Sequence, residues 1–365
     1  MELGVVGLPN VGKSTLFNAL TKAGAESANY PFCTIEPNVG VVAVPDERVD
    51  ILAKMYSTKS VVPAFVKFVD IAGLVKGASK GEGLGNRFLG AIRETEAILH
   101  VVRCFEDANI THVSGKVNPE DDIDTINTEL ALADLETLEK QKDRLVKKVR
   151  AGEKEAAANL QTLERIEKCL SAGKPARTLT FSESEAEFVR DLFLLTTKPV
   201  IYVCNISESD ISKDESLLPL VQKVKKIAES EHSQYVVISA KVEQELTELS
   251  DEDKQMFLDD LGISESGLDR IIKMSYSALG QISFLTAGEK EVRAWTILKG
   301  TKAPGAAGKI HSDFEKGFIK AEVVPYETLV ACGGYKQAKE QGKVRIEGKD
   351  YVVQDGDVML FRFNV

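Results

Sequence analysis

The nine residues GLPNVGKST at positions 7–15 constrain this chain more than any other stretch. They satisfy the spacing G-x-x-x-x-G-K-[ST], with the apolar run of residues 3–6 before them and a helix-like segment, residues 16–22, after them. In that setting Gly7 and Gly12 let the backbone turn tightly, so that successive N–H groups and a helix N-terminus converge on a diphosphate. The backbone of Asn10, Val11 and Gly12 wraps the phosphates, and Lys13 supplies a point charge to the β and γ groups. Ser14 gives its hydroxyl to Mg2+, and Thr15 helps to hold the α phosphate. A glycine-rich turn that matches by accident is the alternative, so the downstream motifs decide.

Residues 29–40, NYPFCTIEPNVG, contain Pro31 and Pro37 and so cannot be a helix interior. They read as a loop into a strand at residues 40–44, with Thr34 placed to turn towards Mg2+ and the γ phosphate. Residues 65–69 read as a buried strand ending in Asp70-Ile71-Ala72-Gly73. An acid at that end of a strand reaches Mg2+ through the ion's own ligands, and Gly73 can offer its N–H to the γ phosphate. Gly77, Gly81, Gly83, Gly85 and Gly90 then predict a loop free to reorder.

Further strands are expected at residues 98–102, at 200–204 leading into Asn205-Ile206-Ser207-Glu208, and near Val236, leading into Ser239-Ala240-Lys241. Strands alternating with helices predict an α/β fold, a doubly wound and mostly parallel sheet with ligands at the strands' carboxyl ends. Two helices joined at Ala151-Gly152 interrupt it as a coiled-coil hairpin, with Leu135, Leu138, Leu145 and Val149 facing Leu160, Leu163, Ile166 and Leu170. The hairpin tip gathers Lys140, Lys142, Arg144, Lys147, Lys148, Arg150 and Lys154, which suit either solvent or a phosphate backbone. Ser182 and Glu185 form a capping-box pattern ahead of another helix. The expected domains are residues 1–280, with the insert at about 120–180, and a mixed α/β module at 281–365. In that module strands are expected at residues 282–285, 292–297, 318–323 and 352–353, and a short helix at 326–333. Lys299, Lys302, Lys309, His311, Lys316 and Lys320 give it a basic arc.

The formal net charge of -10 argues against nucleic-acid binding by the whole surface while allowing such local basic faces. The five cysteines are widely spaced and odd in number, which reads as reduced thiols in a cytoplasmic protein. No apolar run reaches eighteen residues, so no membrane partner is expected.

Taken together, GLPNVGKST, NYPFCTIEPNVG, DIAGLVKGA, NISE, SAK and HSDFEKGFIKAEV resemble the YchF and Obg-like ATPase family along essentially the whole chain. The resemblance implies an Obg-subfamily P-loop domain, a coiled-coil insert and a C-terminal TGS domain of ubiquitin-like, β-grasp fold. It implies a monomer that binds ATP and associates with the ribosome (50S or 70S) and with RNA, the cleft between hairpin and TGS module receiving the nucleic acid. GTPases usually read guanine with Asn-Lys-x-Asp; here the slot reads Asn205, Ile206, Ser207 and Glu208. With the lysine gone and the acid one methylene longer, guanine's donors lose their acceptors, at a cost of roughly 1–3 kcal/mol each, and adenine is favoured. Asn205 and the Ile206 backbone are the expected base contacts. Leu74 stands where a water-orienting glutamine is found in Ras. Intrinsic hydrolysis is therefore expected to be slow, with His112 as a stand-in catalytic group beside Lys13 and Gly73. Asn10 resembles the asparagine that lets some relatives hold K+ beside the phosphates. An Obg-type GTPase and a ribosome-binding scaffold ordered by nucleotide are the competing readings.

Overall fold

The computed structural model describes residues 2–25, 38–72, 84–107, 109–111 and 115–364; the expectations at Thr34, Gly73 and His112 lie outside them, and Gly85 and Gly90, expected in a loop out to about Arg93, lie instead in a helix. In chain order, β1 (Glu2–Val6), α1 (Lys13–Ala25), β2 (Val39–Ala43), α2 (Glu47–Tyr56), β3 (Val61–Val62), β4 (Phe65–Asp70), α3 (Leu84–Glu94) and β5 (Ala97–Arg103) come first. Then follow α4 (Pro119–Arg150), α5 (Lys154–Ser171), α6 (Glu183–Asp191), β6 (Val200–Asn205), α7 (Pro219–Ser230), β7 (Gln234–Ile238), α8 (Ala240–Leu246), α9 (Asp251–Leu261) and α10 (Gly267–Ala278). The chain closes with β8 (Gln281–Ala287), β9 (Val292–Leu298), α11 (Ala303–Ile310), α12 (Ser312–Lys316), β10 (Phe318–Pro325), α13 (Tyr326–Cys332), α14 (Tyr335–Glu340), β11 (Arg345–Glu347) and β12 (Asp357–Phe363). It divides into two units: Met1–Ala25 with Lys67–Ile271, and Val41–Val66 with Ile272–Val365.

The first unit is built on a sheet of order β2-β4-β1-β5-β6-β7, whose pairs β1–β4, β1–β5, β5–β6 and β6–β7 are parallel. All seven residues of β5 and all six of β6 are buried, the continuous run expected of strands covered on both faces. Such sequences suit the interior positions of this sheet, and the parallel pairing brings the carboxyl ends of β1, β4, β5 and β6 to one side.

The helices α4 and α5 pack side by side on either side of Gly152, which adopts φ 88 and ends the first helix. Pro119 and three acids, Glu120, Asp121 and Asp122, open α4, and Lys147, Lys148 and Arg150 close it, as the helix dipole favours. Leu138, Leu145, Ala156, Leu163, Ile166 and Leu170 form its apolar seam. Its root is polar: Asp134, wholly buried, accepts from Leu195 N, Thr196 N and Thr196 Oγ1 at 2.8, 2.8 and 2.6 Å. Burial pushes the Asp134 pKa up, and those three donors pull it back. Nearby, Glu231 takes hydrogen bonds from Arg177 at 2.8 Å, Tyr202 Oη at 2.6 Å and Asn127 at 3.1 Å, tying α4 to β6 and the end of α7.

The second unit has a sheet of order β11-β10-β12-β8-β9-β3. β8 and β9 form an antiparallel hairpin, β12 runs parallel to β8, and β10 is antiparallel to β12. Ala303, Ala306 and Ala307 of α11 are fully buried with Phe284, Ile297, Val323 and Phe361, their small side chains allowing close approach of helix to sheet. α2 packs on β8 and β9, and β3 pairs in parallel with β9. The α2 and β3 segments, expected in the first domain, thus pack in the second unit. The strand expected at Val352 and Val353 is one isolated bridge, between Lys302 and Val352; Val353 N donates instead to Thr301 O.

Candidate functional site

The turn from β1 into α1 demands its glycines. A Cβ on Gly7 would lie 2.8 Å from Val101 O, and one on Gly12, at φ 96, would lie 2.2 Å from Asn205 Nδ2. Gly12 O accepts the first helical hydrogen bond, from Leu16 N at 3.0 Å. Lys13 opens α1, and its ammonium pairs with Asp70 Oδ1 at the end of β4. The parallel register explains the meeting, because Val5 lies opposite Asp70. Ser14 is exposed and Thr15 half-buried in the same first turn, and Val11 is buried.

Asn205, 5% exposed at the end of β6, is a clamp. Its Nδ2 donates to Val11 O and its Oδ1 accepts from Ala240 N, both at 2.9 Å, so one side chain joins the phosphate turn to the start of α8. Ile206 is buried and its N–H is spent on Ile238 O at 2.8 Å. Ser207 Oγ lies 2.8 Å from Asp210 Oδ2 and 3.0 Å from Ser209 Oγ, within its own loop. The Lys213 and Ser207 bonds hold the Asp210 carboxyl below its ordinary range. Glu208 is bound by Lys241 at 2.5 Å, an exposed pair that raises the Lys241 pKa. Ser239 caps α8 and is 1% exposed, with no hydrogen-bond partner for its Oγ.

The structure therefore brings together Lys13 with Asp70, Val11 and Gly12 with Asn205, and Glu208 with Lys241. Asn10 stands at φ 62 and donates through Nδ2 to Thr111 O at 3.1 Å. Two residues here escaped the sequence reading as site residues. Lys241 was visible in Ser-Ala-Lys, but its partner Glu208 is distant in sequence; Arg103, a charged residue ending a wholly buried strand, was the signal of a polar role there. Among the described residues no cluster of three or more His, Cys, Asp or Glu could hold a metal.

A family model described as 50S ribosome-binding GTPase matches residues 2–146, and one named YchF-GTPase_C, described as a protein of unknown function, matches residues 281–364. The ribosome-binding ATPase YchF of Bacillus subtilis is 58% identical over 365 residues, covering 100% of both chains. The chain belongs to the YchF family. The Escherichia coli O157:H7 member, also named ribosome-binding ATPase YchF, is 55% identical, with 100% of this chain and 99% of that one covered. The solved structure of the Schizosaccharomyces pombe YchF GTPase superposes with a TM-score of 0.89 at 41% identity, covering 99% of this chain and 97% of the other. These YchF relatives span both units, and they carry the YchF name rather than the Obg label expected from the motifs. The chain has a P-loop GTPase-like α/β domain followed by a YchF-type C-terminal domain.

Proposed function

We propose that this chain is an ATP-binding, slowly ATP-hydrolysing P-loop protein whose nucleotide state is linked to association with the ribosome and RNA. The observation that carries the reading is the joining of Lys13, Asp70 and the Asn205 clamp around one glycine turn. The full-length relatives of more than half identical sequence named as ribosome-binding ATPases support it. A γ phosphate would compete with Asp70 for the Lys13 ammonium, and that exchange is a means by which the end of β4 could sense nucleotide. Ser14, Thr34 and Asp70 would hold Mg2+, which neutralises phosphate charge when bound. Asn10 keeps its Oδ1 for K+ while Nδ2 holds Thr111 O.

Base choice follows from hydrogen-bond supply. Glu208, the acid of the guanine-reading slot, is engaged by Lys241, and both ends of the Asn205 amide are in use. With these groups engaged, guanine's N1 and N2 donors lose their usual acceptor in the slot, which favours adenine. His112 follows Thr111, which is tied to the P-loop through Asn10, and we assign it the role of aiding hydrolysis with Lys13 and Gly73. The hairpin tip exposes Lys140, Arg144, Lys147, Lys148, Arg150 and Lys154, and the C-terminal module exposes Lys299, Lys309 and Lys316, the faces that would take RNA phosphates. The reading includes a coiled-coil insert at about 120–180, a TGS module at 281–365 and a cytoplasmic monomer.

Equilibrium dialysis with Mg2+ tests the base: ATP should be retained more strongly than GTP, and the reverse would turn the reading into the GTPase alternative. Cosedimentation with 50S and 70S particles tests the linkage. Lys13→Ala should lower ATP affinity at least about ten-fold and abolish the difference in ribosome binding between ATP analogue and ADP. Equal ribosome binding by both proteins in both nucleotides would favour the scaffold reading.

A further inference from the structure

Arg103 ends β5, beside the strand that enters the phosphate turn, and is 1% exposed. Its guanidinium donates to three main-chain carbonyls of the loop that follows: Nε to Phe105 O at 3.1 Å, Nη1 to Ile110 O at 3.1 Å and Nη2 to Asp107 O at 3.4 Å. It also lies over the Phe105 ring, 4.6 Å from its centroid. Among the described residues no carboxylate pairs with it. Burying a charge against neutral oxygens alone is costly, and a fold does so where the planar fork gives something an apolar side chain cannot. Here it fixes three points of one loop. That loop runs on to Thr111, whose carbonyl accepts from Asn10 in the phosphate turn at 3.1 Å. Asn10 stands at φ 62, a left-handed conformation that asparagine adopts more readily than other non-glycine residues, and its side chain is held by the Thr111 carbonyl.

We propose that Arg103 is a positioning residue for the phosphate cradle, holding Asn10 and with it the turn's N–H groups in their binding shape through the carbonyls of Phe105, Asp107, Ile110 and Thr111. The inference rests on the reading of that turn as a nucleotide site. Lysine could keep the charge but not the three-point fork, so the guanidinium itself is required.

The test is a double-mutant cycle in the full-length chain, read as ADP affinity in the presence of Mg2+ together with the melting temperature. Asn10→Gly removes the side chain while tolerating the positive φ, and Arg103→Lys removes the fork. Each should weaken ADP binding about five-fold, the worth of one net hydrogen bond. The double variant should bind no more weakly than the weaker single, because both cut the same connection. Independent effects multiplying to about 25-fold would overturn the proposal. So would an Arg103→Lys protein with native melting and unchanged affinity. If Arg103→Lys does not fold, hydrogen exchange in Asn10→Gly decides: faster exchange at residues 105–111 supports the connection, and unchanged exchange overturns it. A wild-type chain that binds neither ADP nor ATP removes the nucleotide reading, a result distinct from an additive cycle in a chain that binds both.

Discussion

Each side chain at this site acts through what it is already bonded to. Glu208 accepts from Lys241 through one carboxylate oxygen, and an exposed pair of this kind biases the carboxylate rather than locking it. Lys241→Met should therefore raise GTP affinity relative to ATP, by up to about ten-fold if one guanine donor is newly satisfied; competition binding with both nucleotides reads the ratio, and an unchanged ratio would remove Lys241 from base choice. A second residue sets a pH response. His100 on β5 is 2% exposed against the Tyr202 ring, with centroids 5.4 Å apart, and burial together with the Arg177 charge pushes its pKa down to about 3. The unfolded imidazole titrates near 6.5, so between the two values the unfolded chain binds the extra proton. This contribution to stability is complete above about pH 6.5 and drains away as pH falls towards 3. Thermal unfolding of His100→Leu should lose less stability than wild type between pH 7 and pH 4; parallel losses would show that His100 does not titrate in that way.

Among the elements, the helical hairpin is held at its root by buried acids, and Asp134 makes one such junction. The apolar stripe that predicted α4 and α5 accounts for their mutual packing, but not for how α4 meets the turn at Leu195–Thr197. Asp134 makes that junction with three hydrogen bonds, two of them to backbone N–H groups that have no water to turn to. Asp134→Ala should cost on the order of 3 kcal/mol, far more than removal of an exposed acid, since each buried donor left unpaired costs about 1–3 kcal/mol. Calorimetry would show this as a lowered transition of the first unit. A change below about 0.5 kcal/mol, the range of surface substitutions, would mean that the hairpin is held by its apolar seam alone.

At the scale of the whole molecule, the C-terminal module is discontinuous in sequence. Within the second unit, β3 completes the sheet beside β9, Val292 N donates to Ser60 O at 3.0 Å, Tyr335 N donates to Tyr56 Oη at 3.0 Å, and Arg48 bridges to Asp355 at 2.8 Å. A fragment of residues 281–365 alone would expose the surface that α2 covers and lose these bonds. It should melt well below the second unit of the intact protein, and adding residues 41–66 as a peptide should raise its transition. A fragment equally stable without that peptide would show that α2 and β3 are passengers. The phosphate turn, the strands of the first sheet, the capping box and the paired helices were legible because each is encoded within a few residues, as a glycine spacing, an apolar run or a helical period. The Asn205 clamp onto Val11, the Glu208 pair with Lys241, the Arg103 loop anchor and the packing of α2 and β3 in the second unit were not. Sequence by itself determined which elements form and where phosphate chemistry sits, because local propensity and spacing suffice for both. Tertiary structure alone decided which polar groups remain available to a ligand, because a hydrogen bond between residues far apart in the chain depends on the packing that brings them within 3 Å, and no local pattern records it.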